Sequence, residues 1–253
     1  MPRPFRAETR RVVTALLHRY PRTVACTVIG SVADGTWVSD SDIDLVWLCR
    51  GRRRHDWFDI PDLGARHPVQ IVAFNLKQVR EHIRQHSPMA HAIQVGISLY
   101  DPEGLQRQLQ SVSLGPPKRA WIEKTYDFMS VRHVWGVESY EHECQTHRRF
   151  CRKSERCHCR VSDVLVRAVL NLLRLLLILH GHMPTTKAHV RRIYPAVVRG
   201  CRLRQAVDLA LALHHEDRFI TIPEAREVMH LGRWVRKQLR QKLGRPHQDS
   251  ATA

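Results

Sequence analysis

The chain has 253 residues, 43% hydrophobic and 26% charged, a globular balance that excludes wholesale disorder and a fibre. There are 41 Lys and Arg against 24 Asp and Glu, a formal charge of +17 with His neutral. Such an excess attracts polyanions: nucleotide phosphates, nucleic acid or an acidic partner.

The N-terminal stretch MPRPFRAETRRVV is interrupted by Arg3, Arg6, Arg10 and Arg11, so it lacks the apolar centre of a signal peptide and a cytoplasmic protein is expected. Residues 7–20 read as a helix with Val12, Val13, Leu16 and Leu17 on one side. Thr23 to Ile29 (TVACTVI) reads as a strand ended by Gly30-Ser31. Asp42 to Leu48 (DIDLVWL) reads as a second strand, Arg50 to Arg54 as a basic turn, and Val69 to Phe74 (VQIVAF) as a third strand. A helix follows over about 76–86. This order describes a small α/β or α+β unit over residues 1–112.

Ser113 to Lys118 (SLGPPK) carries Gly115, Pro116 and Pro117 and reads as a linker. Residues 119–246 then read as all-helical. Ile122, Tyr126, Met129 and Tyr140 keep helical spacing. The most apolar run, Val164 to Leu179, is crossed by Arg167, Asn171 and Arg174 at i, i+4 and i+7. One polar stripe on a greasy helix marks a buried helix of a bundle, not a membrane span. Pro184-Thr185-Thr186 opens another helix, residues 206–214 and 224–243 read as two more, and 247–253 form a frayed tail. No repeat is present.

The stretch GSVADGTWVSDSDIDL, Gly30 to Leu45, concentrates the chemistry. Glycine permits close backbone approach, and a helix beginning there turns free N–H groups toward phosphate, with the Ser31 hydroxyl beside them. Asp42 and Asp44 lie two apart on a strand, so both face one way, about 7 Å apart along the backbone. Two such carboxylates repel by about 3 kcal/mol at 6 Å and an effective dielectric near 20. A divalent cation removes that repulsion, and carboxylates with phosphate oxygens and water make the usual Mg²⁺ shell. A phosphate cradle beside an Asp-x-Asp clamp suits phosphoryl or nucleotidyl transfer.

The same stretch resembles the Gly-Ser-x(n)-Asp-x-Asp signature of the DNA polymerase β-like nucleotidyltransferase superfamily, in the form of aminoglycoside (kanamycin-type) and minimal nucleotidyltransferases. Gly30, Ser31, Gly35, Thr36, Ser41, Asp42, Ile43, Asp44 and Leu45 match; Asp34 stands where Arg is common. The resemblance implies a nucleotidyltransferase-type mixed sheet domain followed by an all-helical bundle. It implies that Gly30 and Ser31 hold the triphosphate, with Ser41 also on the nucleotide, and that Asp42 and Asp44 coordinate Mg²⁺. It implies attack of an acceptor hydroxyl on the α-phosphorus of a nucleoside triphosphate, with pyrophosphate leaving. A third acid is usual in the family on the following strand. Here His67-Pro68-Val69-Gln70 places Gln70 at that point, a neutral amide whose oxygen can ligate a metal but which is a poor base. By the same resemblance Lys187, at the start of the helix after Gly181, is a triphosphate contact.

The expected function is therefore transfer of a nucleoside monophosphate, AMP from ATP, to a hydroxyl of a small acceptor. Two alternatives stay open: a protein or RNA acceptor, and a non-catalytic nucleotide- or nucleic-acid-binding module. Cys144, His147, Cys151 and Cys157 offer four ligands for a structural zinc, although their spacing matches no standard zinc module.

Overall fold

The protein is described from a computed structural model over residues 2–38, 41–50, 67–147, 162–215 and 221–245, with the side chains of 143–147, 162–163 and 215 outside the description. The chain divides into two compact units, Met1–Lys118 and Arg119–Ala253.

In the first unit α1 (Arg3–Arg19) precedes β1 (Thr23–Ile29), the short α2 (Gly30–Asp34), β2 (Ile43–Cys49) and β3 (Val69–Asn75). Then come α3 (Leu76–Arg84), α4 (Pro88–Val95), β4 (Ile97–Tyr100) and α5 (Leu105–Gln110). The sheet order is β3-β2-β1-β4. β1 runs antiparallel to both β2 and β4, while β2 and β3 are parallel. All seven residues of β1 are buried, as expected of a strand covered on both faces. Alternation sorts the side chains into two layers. Ile43, Leu45, Trp47, Val28 and Ile71 pack with Phe5, Val12 and Leu16 of α1. Val46, Leu48, Ile29 and Phe74 pack with Val79 and Ile93 of α3 and α4.

β4, α4 and α5 escape a reading by periodicity. β4 has four residues, and none of them is fully buried. Their places are set by tertiary contacts: the buried Thr27 hydroxyl donates to Gln106 Oε1 at 2.9 Å, and Gln106 Nε2 donates to the Ile93 carbonyl. The 113–118 stretch is tied to this unit. Lys118 N donates to the Gln85 carbonyl at 3.0 Å and Gly115 N to His86 Nδ1 at 2.9 Å. Its prolines stiffen a strap; it is not a free span.

The described elements of the second unit are helices: α6 (Arg119–His147), α7 (Ser162–Leu179), α8 (Lys187–Val197), α9 (Cys201–His215) and α10 (Ile222–Leu243). α7 packs against each of the other four, and Leu172, Leu173 and Leu177 have no exposure at all. Arg167 is exposed and Asn171 and Arg174 are half-buried, so the polar stripe is more open to solvent than the leucine face of α7. The helix stops where Gly181 takes φ +83° and His182 N returns to the Leu177 carbonyl at 3.0 Å. Thr186 caps α8 by accepting from His189 N at 3.3 Å. Among the described residues no helix is long and apolar enough to cross a membrane.

Candidate active site

Three backbone decisions build one end of the sheet. β1 ends at Ile29, and Gly30 turns the chain with φ +73° into α2. A Cβ on Gly30 would run into Asp44 Oδ2 and sit 3.4 Å from Asp44 Cγ. Glycine is required here twice, by the left-handed backbone and by the carboxylate packed against it. α2 then stops at Gly35, φ +80°, where nothing crowds the missing Cβ. The Asp34 carboxylate secures the exit by accepting from Thr36 N at 2.9 Å and from the Thr36 hydroxyl at 2.6 Å. That Asx-type turn explains an acid where the resembled motif commonly has Arg.

The second decision is the turn into β2. Ser41 N donates to the Val38 carbonyl at 3.0 Å and Val38 N donates to Ser41 Oγ at 2.9 Å. Ser41 is buried, at 9% exposure, and its hydroxyl serves the turn that delivers Asp42 to the head of the strand.

The third is strand register. Ile29 stands opposite Asp44 across β1 and β2, and Asp44 opposite Gln70 across β2 and β3. Asp42, Asp44 and Gln70 share the parity of Val46, Leu48 and Phe74, so the three polar side chains leave the same face. Gln70 Nε2 donates to Asp42 Oδ2 at 2.6 Å. Both carboxylates are half-buried and Gln70 is exposed, so the group is open to a ligand from solvent. Gly30, Ser31, Asp42, Asp44 and Gln70 therefore meet where β1 ends and β2 and β3 begin.

This arrangement fits a hard divalent cation. It offers two carboxylates and an amide oxygen, all oxygen donors, and a glycine that leaves the Asp44 carboxylate room. Among the described residues no three His, Cys, Asp or Glu come together as a metal-binding group.

No family model matches the chain, and no curated protein does either. Solved structures do. Spectinomycin adenyltransferase AAD(9) from Enterococcus faecialis, crystallised with ATP and spectinomycin, superposes with a TM-score of 0.50 at 12% identity, covering 92% of this chain and 99% of that one. The fold is that of a nucleotidyltransferase. A nucleotidyltransferase-like protein from Exiguobacterium sibiricum 255-15 is also matched, with a TM-score of 0.34 at 10% identity over 93% of this chain and 78% of that one.

In the first unit the structure gathers Gly30, Ser31, Asp42, Asp44 and Gln70, with Ser41 behind them in the turn. Lys187 belongs to the helical unit, where it is half-buried at the first position of α8. Cys151 and Cys157, and the side chains of Cys144 and His147, lie outside the described residues.

One feature beside the site had no signal in the sequence. Glu8 of α1 is 4% exposed; its Oε1 accepts from His67 N at 2.9 Å and its Oε2 lies 2.6 Å from His67 Nδ1. The Phe5 ring meets His67 at a tilt, with centroids 4.6 Å apart, and Trp37 edge-on at 5.2 Å. These contacts clamp the lead into β3, three residues before Gln70. A Glu within an Arg-rich helix and a His before a Pro give no hint of pairing across 59 residues.

Proposed function

We propose that this protein is a Mg²⁺-dependent nucleotidyltransferase that moves a nucleoside monophosphate, AMP from ATP, onto a hydroxyl of a small acceptor with release of pyrophosphate. The observation that carries the reading is the convergence of Asp42, Asp44 and Gln70 on one face beside Gly30. The fold it shares with an adenyltransferase solved with ATP and an antibiotic supports the choice of nucleotide and of a small acceptor.

In this reading Asp42 and Asp44 hold the magnesium, and the Gln70 amide oxygen is available as a third ligand. When bound, the ion neutralises phosphate charge and makes the α-phosphorus open to attack. The rest is positioning by the chain. Gly30 keeps the space in front of the Asp44 carboxylate open. Ser31, the next residue, offers its hydroxyl to a phosphate oxygen. The Gln70–Asp42 hydrogen bond holds one Asp42 oxygen in place and leaves the other for the metal. An amide takes up no proton near neutral pH, so Gln70 orients groups and does not deprotonate the acceptor. Lys187 is proposed as a triphosphate contact from the helical unit.

A macromolecular acceptor is the second reading, favoured by the distribution of charge. Residues 119–253 carry 25 Lys and Arg against 13 Asp and Glu, which is +12 of the total +17. That exceeds what one triphosphate needs.

The deciding experiment incubates the protein with each NTP and Mg²⁺ and follows pyrophosphate release against a panel of small acceptors, RNA and protein. Asp42→Ala and Asp44→Ala should each lower turnover by about 10²–10³-fold while circular dichroism stays unchanged. Activity that falls steeply with added salt assigns a polyanionic acceptor. Nucleotide binding without pyrophosphate release under any acceptor defeats the transferase reading and leaves a binding module.

A further inference from the structure

α6 is 29 residues long, about 43 Å at 1.5 Å per residue. One side of it is spent within its own unit. Ile122, Tyr126 and Tyr140 are buried in the helical core, and a Cβ on Gly136 would sit 3.1 Å from Leu165 Cα of α7. The opposite side is open and is not polar. Phe128 is 57% exposed, Val131 69%, Val134 38% and Trp135 57%. No other described helix shows such a group of exposed large apolar side chains.

The spacing of this open side is regular. Lys124, Phe128, Val131, Trp135, Glu138 and His142 are separated by four, three, four, three and four residues, and Lys124, Glu138 and His142 are exposed too. Alternate steps of three and four are the a/d seam of a coiled coil, which calls for a partner helix. The apolar residues occupy the middle of the seam, and one cation and one anion stand at its shoulders. Each is seven residues from Val131, about 10.5 Å along the axis.

We infer that α6 is a self-association surface: two copies of this chain pair through it, antiparallel, about a two-fold axis at Val131. Charge selects both partner and direction. In an antiparallel pair Lys124 of each copy faces Glu138 of the other, and Phe128 lies against Val134 and Trp135 of the other copy. A parallel pair sets Lys124 against Lys124 and Glu138 against Glu138, which is repulsive at both ends. A nucleic acid would require a run of cations along the seam; the seam positions carry one lysine balanced by one glutamate, with His142 at the end, and the one arginine beside them, Arg132, lies over the Phe128 ring. A closed two-fold contact uses the same patch on both copies, and this patch is self-complementary. One seam is smaller than a standard interface, so the dimer is expected in the micromolar range. The inference stands apart from the nucleotidyl-transfer reading, since no residue of that site takes part.

Sedimentation equilibrium of the full chain, from low micromolar to about 100 μM, tests it. A monomer–dimer equilibrium is expected. Val131→Glu should abolish the dimer. Lys124→Glu alone and Glu138→Lys alone should each raise the dissociation constant about tenfold, because each sets like charges together twice. The double variant Lys124→Glu/Glu138→Lys should restore it to near the original value. A monomer throughout, a dimer indifferent to Val131→Glu, or a double variant no better than the singles overturns the proposal.

Discussion

Replacing Gly30 by alanine separates two demands that the structure places on one residue. The first is backbone strain: φ is +73°, and an L-residue in that region costs about 1–2 kcal/mol. The second is the collision of the new Cβ with the Asp44 carboxylate. Gly35→Ala supplies the control. It sits five residues away at φ +80° with nothing within 4 Å of a Cβ, so it carries the strain without the collision. Gly35→Ala should lower the stability of the first unit by about 1–2 kcal/mol and Gly30→Ala by more than that, read as a shift in urea midpoint. Only Gly30→Ala should move the Asp44 carboxylate. A misplacement of about 1 Å at a reacting centre costs on the order of 10²-fold in rate. Turnover with ATP and Mg²⁺ should therefore fall about 100-fold in Gly30→Ala and change little in Gly35→Ala. Equal activity in the two variants would falsify the claim that the Asp44 carboxylate beside this glycine is part of the site.

Gln70→Glu places a third carboxylate opposite Asp44 and beside Asp42. In EDTA the added repulsion should lower the melting temperature, and Mg²⁺ should raise it by more than in the parent protein; a melting temperature insensitive to Mg²⁺ in both forms would remove the metal from the reading. His133 of α6 gives a pH dependence in the helical unit. It is 1% exposed, its Nδ1 lies 3.4 Å from an Arg236 guanidinium nitrogen, and burial together with Arg236 and Arg233 pushes its pKa down to about 4. The folded form thus holds fewer protons than the unfolded form between about 4 and 6.5. Its contribution is complete above pH 6.5 and is lost as pH falls, by about 2 kcal/mol at pH 5. The chemical-denaturation midpoint of the helical unit should follow that curve, and His133→Gln should flatten it between pH 7 and pH 5. An unchanged slope in that variant would assign the acid sensitivity to other groups.

The sequence by itself determined the local parts. Short β-rich apolar runs placed β1, β2 and β3, and apolar residues at helical spacing placed α1 and α7, within a residue or a few, because a buried strand or helix face must be apolar along its length. The spacing Asp42-x-Asp44 after Gly30-Ser31 marked the carboxylate pair, since residues two apart on a strand share a face whatever surrounds them. Tertiary structure decided everything that depends on which strands are neighbours. Gln70 reaches Asp42 only because β2 and β3 pair in parallel with Asp44 opposite Gln70. Gly30 owes its necessity to a carboxylate fourteen positions later that the β1–β2 register brings against it. The Ser41 hydroxyl closes a turn by accepting from Val38 N, and Glu8, within an Arg-rich stretch, is buried against His67. Hydrogen bonds such as these link distant positions, and a linear pattern carries no record of a partner that arrives only when the sheet closes.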